Sequence, residues 1–396
     1  MKFTHIDCFS GAGGICTGFS AAGLSTKIAI EHVSSCIETY HENHPCVHII
    51  SKDIRKVKDA EIRNYLKNNN LEIDIVTSGM PCETFSTAGS KSRSFYDDRQ
   101  FLFREGIRIA KASNAKLVLF ENVTGIMSKT IAKGSKRLVI DELYDNLKNA
   151  GYENHISLVL NSSDYGVPQF RERFFVLAAK NKKWELKGPA INKNGKNVTV
   201  KDALVDLPNV EVNSGKEANY YNELNSDYSE LMKDKKFWKR KHNGYLTYHM
   251  PPNHRPGTIE RFKLIRQGEG LKDLFVKFSE DEIINLQNNR IMPKKFYIQR
   301  NRRLSTDSVS PTVTSHCLDE LIHPIYDRAL TVRECARLQS FPDAYTFPGG
   351  PYIIPHLYHI QDKYEQIGDA VPPLLAYAWG KRIIKILKTY GNENKS

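Results

Sequence analysis

The first 180 residues alternate short apolar runs with helical patterns, and this alternation constrains the fold more than any other feature of the chain. The apolar runs predict strands at Thr4–Phe9, Thr26–Glu31, Asp74–Ser78, Leu117–Glu121, Ile156–Asn161 and Arg173–Ala179. Apolar residues recur at helical spacing in Ile15–Ala22, Ser34–Asn43, Asp59–Asn68, Phe101–Ser113 and Lys136–Ala150. Gly151 stands just past the last of these, where a helix-ending glycine is expected. Strands alternating with helices predict an α/β fold with a parallel, doubly wound sheet.

The pattern breaks after residue 180. Residues 181–260 are rich in Lys, Asn, Tyr and His, and Pro251, Pro252, Pro256, Gly257, Gly268 and Gly270 interrupt any long element. This reads as an irregular insertion reaching to about residue 325. Order returns in Thr331–Gln339 and in an amphipathic C-terminal pattern over Leu374–Lys388. The expected division is residues 1–180 plus 360–396 as one domain and 181–359 as a second, smaller one. The tail Gly391–Ser396 is expected to fray.

With 396 residues, 40% of them hydrophobic, the chain can bury a sizeable core. No run approaches the ~18 consecutive apolar residues of a membrane span, and Met1–Asp7 lacks the apolar core of a secretion signal. The expectation is an intracellular protein with no membrane partner. Seven cysteines (Cys8, Cys16, Cys36, Cys46, Cys82, Cys317 and Cys335) form no CxxC pair, which argues against a zinc site or a disulfide framework. No metal is expected. The formal net charge of +12 favours polyanions. Lys233, Lys235, Lys236, Lys239, Arg240 and Lys241 cluster around Phe237 and Trp238, and Arg290, Lys294, Lys295, Arg300, Arg302 and Arg303 around Phe296 and Tyr297. Basic residues interleaved with aromatics suit phosphate contact and stacking, and a solvated charged face suits the same composition.

Four segments can carry chemistry. In Asp7-Cys8-Phe9-Ser10-Gly11-Ala12-Gly13-Gly14 a strand runs into a glycine-rich turn and a helix, a place for a nucleotide-like ligand or simply a tight turn. Cys16 occupies the last glycine position of a dinucleotide fingerprint, and the GK[ST] of a P-loop is missing. Glu31, ending the second strand, suits ribose hydroxyls, and Asp53 an adenine amino group; either acid can equally be solvated. Ser78-Gly79-Met80-Pro81-Cys82-Glu83-Thr84-Phe85-Ser86 puts a cysteine past a strand end, reactive or inert. The polar stretch after it, with Arg93, Tyr96 and Arg99, suits a lid. Leu119-Phe120-Glu121-Asn122-Val123 ends another strand on an acid that can meet that thiol or cap a helix. Gln169-Phe170-Arg171-Glu172-Arg173 presents Arg171 and Arg173 on one face of an extended segment, for a base edge, a phosphate or solvent.

Together these segments resemble the cytosine-5 DNA methyltransferase family. FSGAGG, PCETFS, ENV and QFRER stand in the family's order, followed by Arg328–Pro342 and Gln366–Pro372. Blocks in that order across nearly the whole chain are far more specific than any one motif. The resemblance implies a Rossmann-like S-adenosylmethionine-dependent domain with a target-recognition domain inserted before the C-terminal helix. It implies that Phe9, Ser10, Gly11, Gly13, Gly14, Glu31, His32, Asp53, Ile54, Pro81, Asp369 and Ala370 surround S-adenosylmethionine. It further implies that Cys82 is the nucleophile, that Glu121 holds cytosine at nitrogen 3, and that Arg171 and Arg173 complete the catalytic set, with Arg173 at the carbonyl oxygen. Residues 181–327 would read double-stranded DNA. Asp369 replaces the family's usual asparagine and Glu83 its commoner glutamine.

The chemistry explains the residue types. Carbon 5 of cytosine is a poor nucleophile until a thiolate adds at carbon 6. A carboxyl with a raised pKa offsets the charge that develops on the ring. The base must leave the duplex, which favours a closing loop and phosphate contacts. With no room for a regulatory domain before the first block, a bacterial restriction–modification enzyme is expected: cytoplasmic, nucleoid-associated, monomeric, and linked to a cognate endonuclease by function rather than contact. An RNA (tRNA) cytosine-5 methyltransferase and a catalytically silent DNA-binding protein of the same fold are the alternatives.

Overall fold

The computed structural model describes residues 2–81, 85, 97–191, 196–295, 299–354 and 360–390. Seven strands form one sheet: β1 (Thr4–Cys8), β2 (Ser25–Glu31), β3 (His48–Ser51), β4 (Ile75–Gly79), β5 (Leu117–Asn122), β6 (Asn154–Asn161) and β7 (Glu172–Ala179). Helices α1 (Gly14–Ala22), α2 (Ser34–Asn43), α3 (Asp59–Asn68), α4 (Phe103–Ala112) and α5 (Val139–Asn149) connect them. The strand order is β3-β2-β1-β4-β5-β7-β6. The central strands are apolar on both faces because helices cover both. On one face Ile62 of α3, Phe103 of α4 and Leu143 of α5 pack on Ile6, Val76 and Val118. On the other, Phe19 of α1 and Trp379 of the C-terminal helix Pro373–Tyr390 pack on Ile75, Leu117 and Phe175.

Two features depart from the expected sheet. The short strand β3, with His48 and Ser51 exposed, has too weak an apolar pattern to stand out in the sequence. The sheet is also not wholly parallel. β1 to β5 run parallel, but β7 is antiparallel to both β5 and β6. The connection Ser162–Arg171 is short of the dozen or so residues that a parallel crossover needs, so the chain turns straight back.

The segment after residue 180 does not form one separate body. Val200, Tyr228, Met232, Trp238 and Leu246 share a core with Leu330, Cys335, Leu338, Phe341, Tyr345, Ile367 and Leu374. Phe262, Ile265, Leu271, Leu274, Met292 and Ile322 make a small core of their own. Helix Val332–Leu338 is the junction. Its Arg337 donates to both oxygens of Asp206 at 3.0 Å and to Asp343 at 2.5 and 2.6 Å. Arg333 donates to Thr247 and to the carbonyls of Pro342 and Tyr345. Arg328 pairs with Glu334 at 2.7 and 2.8 Å, and Glu334 also closes the helix N-terminus with Thr331.

Part of the first basic cluster turns inward, while Lys235, Lys236 and Lys241 stay exposed. Trp238 is buried, and its indole N–H donates to the Leu231 carbonyl at 2.7 Å. Lys233 pairs with Asp206 and Glu230. Lys239 reaches the last carbonyls of α1, Ser20 at 2.7 Å and Ala21 at 3.0 Å, where a cation satisfies orphan acceptors and the helix dipole. The second cluster stays outside. Arg290, Lys294, Lys295, Arg300 and Arg302 are exposed, while Arg303 is buried among the carbonyls of Phe262, Ile265 and His323. Phe296 and Tyr297 lie outside the described residues. No helix among the described residues is long and apolar enough to cross a membrane.

Two predictions follow from the packing. A Cβ at Gly18 of α1 would collide with the Pro373 carbonyl and the Tyr377 amide of the C-terminal helix. Gly18→Ala is expected to lower stability by roughly 1–3 kcal/mol, read by urea unfolding. Asp7, fully buried in β1, accepts from the Thr77 hydroxyl at 2.7 Å, and burial lifts its carboxyl to about 7. Its charge therefore opposes folding above pH 7, and that opposition fades as pH falls through 7 towards the ordinary carboxylate range. Asp7→Asn should raise the melting temperature at pH 8, with the gain shrinking by pH 5. A gain that does not change with pH would contradict this assignment.

Candidate active site

The strand order turns over between β1 and β4, with β2 and β3 on one side and β5 on the other. At such a switch point the loops leave in opposite directions and open a crevice at the carboxyl ends of the strands. The register Cys8↔Ser78 and Gly79↔Glu121 aligns the ends of β1, β4 and β5, so the glycine loop, the Pro81 turn and Glu121 share one edge.

The glycine loop is shaped by backbone conformation. Phe9 and Gly11 have φ values of 56° and 51°, and Gly13 caps α1 at φ 84°. A Cβ at Gly11 would meet nothing, so that side of the loop is open. One at Gly13 would press on the Tyr345 hydroxyl and His44, and one at Gly14 on the Val371 carbonyl, so packing demands glycine at both. Glu31 closes the loop from β2. One oxygen accepts from the Gly11 N–H at 2.8 Å, the other from the N–H groups of His32 at 2.7 Å and Val33 at 2.9 Å. Burial pushes its pKa up, but these bonds and His32 outweigh burial and hold the carboxyl below the usual range. The Ser10 hydroxyl is buried with no hydrogen-bond partner among the described residues.

Asp53 is clasped by Arg55, and that bond holds its carboxyl down to about 2. Ile54 beside it is buried. Asp369 is exposed and accepts from Gln361 at 2.8 Å. The Ala370 carbonyl is taken by Arg171 and Gln339.

Cys82, Glu83, Thr84, Ser86, Arg93 and Tyr96 lie outside the described residues, but the chain on either side of Cys82 is well placed. Asn122 donates to the Met80 carbonyl at 3.3 Å. Phe85 is buried, and its carbonyl lies where a Cβ at Gly125 would be. The end of β5 and the residues just after it thus meet Met80 and Phe85, the described residues that flank this part of the chain.

Glu121 lies between them, its Oε1 accepting from Arg173 Nε at 3.1 Å. Burial raises its pKa, and the opposing pull of Arg173 and Arg171 does not cancel that rise. A carboxyl of this kind can stay protonated closer to neutrality than a solvated one. Arg171 does not share this site as the extended pattern suggested. Its buried guanidinium donates to the carbonyls of Val313, Gly368 and Ala370. Gln169 and Gln339 do the same work beside it, joined at 2.6 Å and reaching Leu338, Ile367 and Ala370. Arg171 thus fastens the C-terminal block and acts on Glu121 through its charge, while Arg173 pairs with the carboxylate directly. Asn122 and Arg240 stand in segments that the sequence marked for other roles, and His44 and Tyr345 in none; their supporting contacts lie with residues distant along the chain.

The Type II methyltransferase M.DdeI of Desulfomicrobium norvegicum is 32% identical over 383 residues, covering 96% of this chain and 88% of the relative. The Type II methyltransferase M1.HphI of Haemophilus parahaemolyticus is 30% identical, covering 98% and 88%. A crystal structure of a candidate DNA modification methyltransferase encoded within an E. coli prophage superposes with a TM-score of 0.72 at 24% identity, covering 98% of this chain and all of that one. The pattern of the C-5 cytosine-specific DNA methylases matches residues 3–385, and the chain belongs to that family.

Proposed function

We propose that the protein transfers a methyl group from S-adenosylmethionine to carbon 5 of a cytosine turned out of double-stranded DNA, with Cys82 as the nucleophile. The observation that carries this reading is the Glu121–Arg173 pair at the sheet edge where β4 ends, shortly before Cys82 in the sequence. The glycine loop suits the methyl donor: an open face at Gly11, a buried unpaired hydroxyl on Ser10 and a fixed acceptor at Glu31. Phe9, Gly13, Gly14, His32, Asp53, Ile54, Pro81, Asp369 and Ala370 would line the rest. Bound there, S-adenosylmethionine supplies an electrophilic methyl group on a sulfonium.

The chain's own groups account for the remaining steps. The Cys82 thiolate adds to carbon 6 of the ring and makes carbon 5 nucleophilic. Glu121, its pKa raised by burial, donates a hydrogen bond or proton to nitrogen 3 as charge builds there. Arg173 holds one carboxylate oxygen and suits the ring carbonyl as well. After the methyl group reaches carbon 5, loss of the proton on that carbon expels the thiolate and restores the aromatic ring. On this reading the DNA-reading part of residues 181–359 is the small core around Phe262 and Ile322, which carries the exposed cations of the second cluster. Relatives that are Type II methyltransferases support a protective role in a restriction–modification system.

The test is incubation with unmethylated duplex DNA and methyl-labelled S-adenosylmethionine, followed by mass spectrometry of the nucleosides. Labelled 5-methylcytosine is expected from the parent and none from Cys82→Ala. Glu121→Gln should lower kcat by roughly 10²-fold or more. Methylated adenine, or full activity in Cys82→Ala, would overturn the mechanism. Transfer to tRNA alone would move the substrate to RNA. If Arg171 is a fastening group, Arg171→Lys should lower the melting temperature more than it lowers kcat, whereas Arg173→Lys should do the reverse.

A further inference from the structure

Beneath the glycine loop, a short stretch of the region after residue 180 is inserted between α1 and α2. Lys239, in a left-handed conformation at φ 55°, satisfies the C-terminal carbonyls of α1. The next residue, Arg240, points to the C-terminal end of α2. Its guanidinium donates to the Asn43 carbonyl at 2.9 Å, lies 3.3 Å from His44 Nε2 and stands over the Tyr345 ring, 4.8 Å from the centroid. Tyr345 in turn donates to the Ala12 carbonyl, inside the glycine loop. His44 lies between Tyr345, Cys16 and Thr17, and the Thr17 hydroxyl donates to the Gly13 carbonyl at 2.8 Å.

The placement is costly in a way that simple stabilisation does not explain. A cation partly removed from water has here a carbonyl, an imidazole and a ring face for company. Its position makes sense as a brace. The loop's left-handed residues Phe9, Gly11 and Gly13 need their shape imposed from outside, and Tyr345 and His44 supply the atoms nearest to a Cβ placed at Gly13. Tyr345 is itself fixed from behind, because its carbonyl accepts from Arg333 in the junction helix.

We propose that Arg240 and Tyr345 are positioning residues for S-adenosylmethionine: the base of the inserted region holds the glycine loop in its binding shape through the chain Arg240–Tyr345–Ala12. The proposal rests on the reading of that loop as the methyl-donor site. Neither residue touches the donor or the reacting atoms; each acts through the loop. A consequence is that the region engaging DNA and the loop engaging the donor are mechanically joined, through a segment whose charge pattern alone suits either phosphate contact or a solvated face.

The experiment uses the full chain. Binding of S-adenosylmethionine without DNA is measured by titration calorimetry for the parent, Tyr345→Phe, Arg240→Met and Arg240→Lys, beside melting temperatures and separate KM values for the donor and for duplex DNA. Tyr345→Phe removes one hydroxyl and should weaken donor binding about three- to tenfold. Arg240→Met should do at least as much, with Arg240→Lys between it and the parent. KM for the donor should rise while kcat and KM for DNA stay within about twofold. If Arg240→Met fails to fold, Tyr345→Phe decides the matter alone. Unchanged donor affinity in folded Tyr345→Phe would overturn the proposal and leave the donor site intact. A rise confined to KM for DNA would overturn it by making the segment a DNA contact. A parent protein that binds no donor would overturn the site reading and this proposal with it.

Discussion

Arg337 is fully buried, and its guanidinium joins carboxylates from two distant parts of the chain, Asp206 and Asp343. Both acids and the cation have lost their water, so each depends on the others, and removing one partner of such a set costs about 3–5 kcal/mol. Arg333, one turn earlier on the same helix, repeats the device with Thr247 and two carbonyls, and Arg328 pairs with Glu334 at its start. One short helix therefore holds the early part of the inserted region, the loop that carries Tyr345 and the C-terminal block in one arrangement. Packing then carries that order to the sheet. The C-terminal helix lies so close to α1 that Gly18 has no room for a side chain, and the residues just before that helix crowd Gly14 in the same way.

The direction of β7 has an equally direct chemical consequence. Arg173 stands near the start of its strand and Glu121 near the end of β5. In a parallel pair these residues would lie at opposite edges of the sheet. Because β7 runs antiparallel, they meet at 3.1 Å at the edge where the glycine loop and the Pro81 turn emerge. The short return between β6 and β7 thus places a cation against the carboxylate.

Acids at that edge are tuned in opposite directions by their neighbours. Glu31 is buried but surrounded by backbone N–H groups, which keep it ionised and a fixed acceptor. Glu121 is buried with one guanidinium beside it, and there desolvation prevails and the pKa rises. A permanent acceptor suits the hydroxyls of a donor, and a carboxyl that can hold a proton suits a ring nitrogen gaining charge. The side chains are of one type, and their surroundings divide the roles.

The alternation of strands and helices was legible in the sequence because it depends on local periodicity; α2 and α3 fall at the predicted bounds, and β1, β2, β4 and β5 within a residue. The order of the blocks from FSGAGG to Gln366–Pro372 was enough to point to the family. Partnership was not legible. Arg171 and Arg173 look equivalent in a five-residue window, yet one fastens carbonyls of Gly368 and Ala370 and the other meets Glu121. The clusters around Trp238 and Arg300 look alike in composition, yet in the first Trp238 is buried and Lys239 and Arg240 reach backbone carbonyls of the catalytic fold, while the second faces solvent except for Arg303. Local sequence determines which residues favour a strand, a helix or a tight turn, and which reactive groups the chain possesses. Which of them meet, and whether a charge lies in water or against a carbonyl, depends on contacts between residues tens to hundreds of positions apart, and only the tertiary structure decided that.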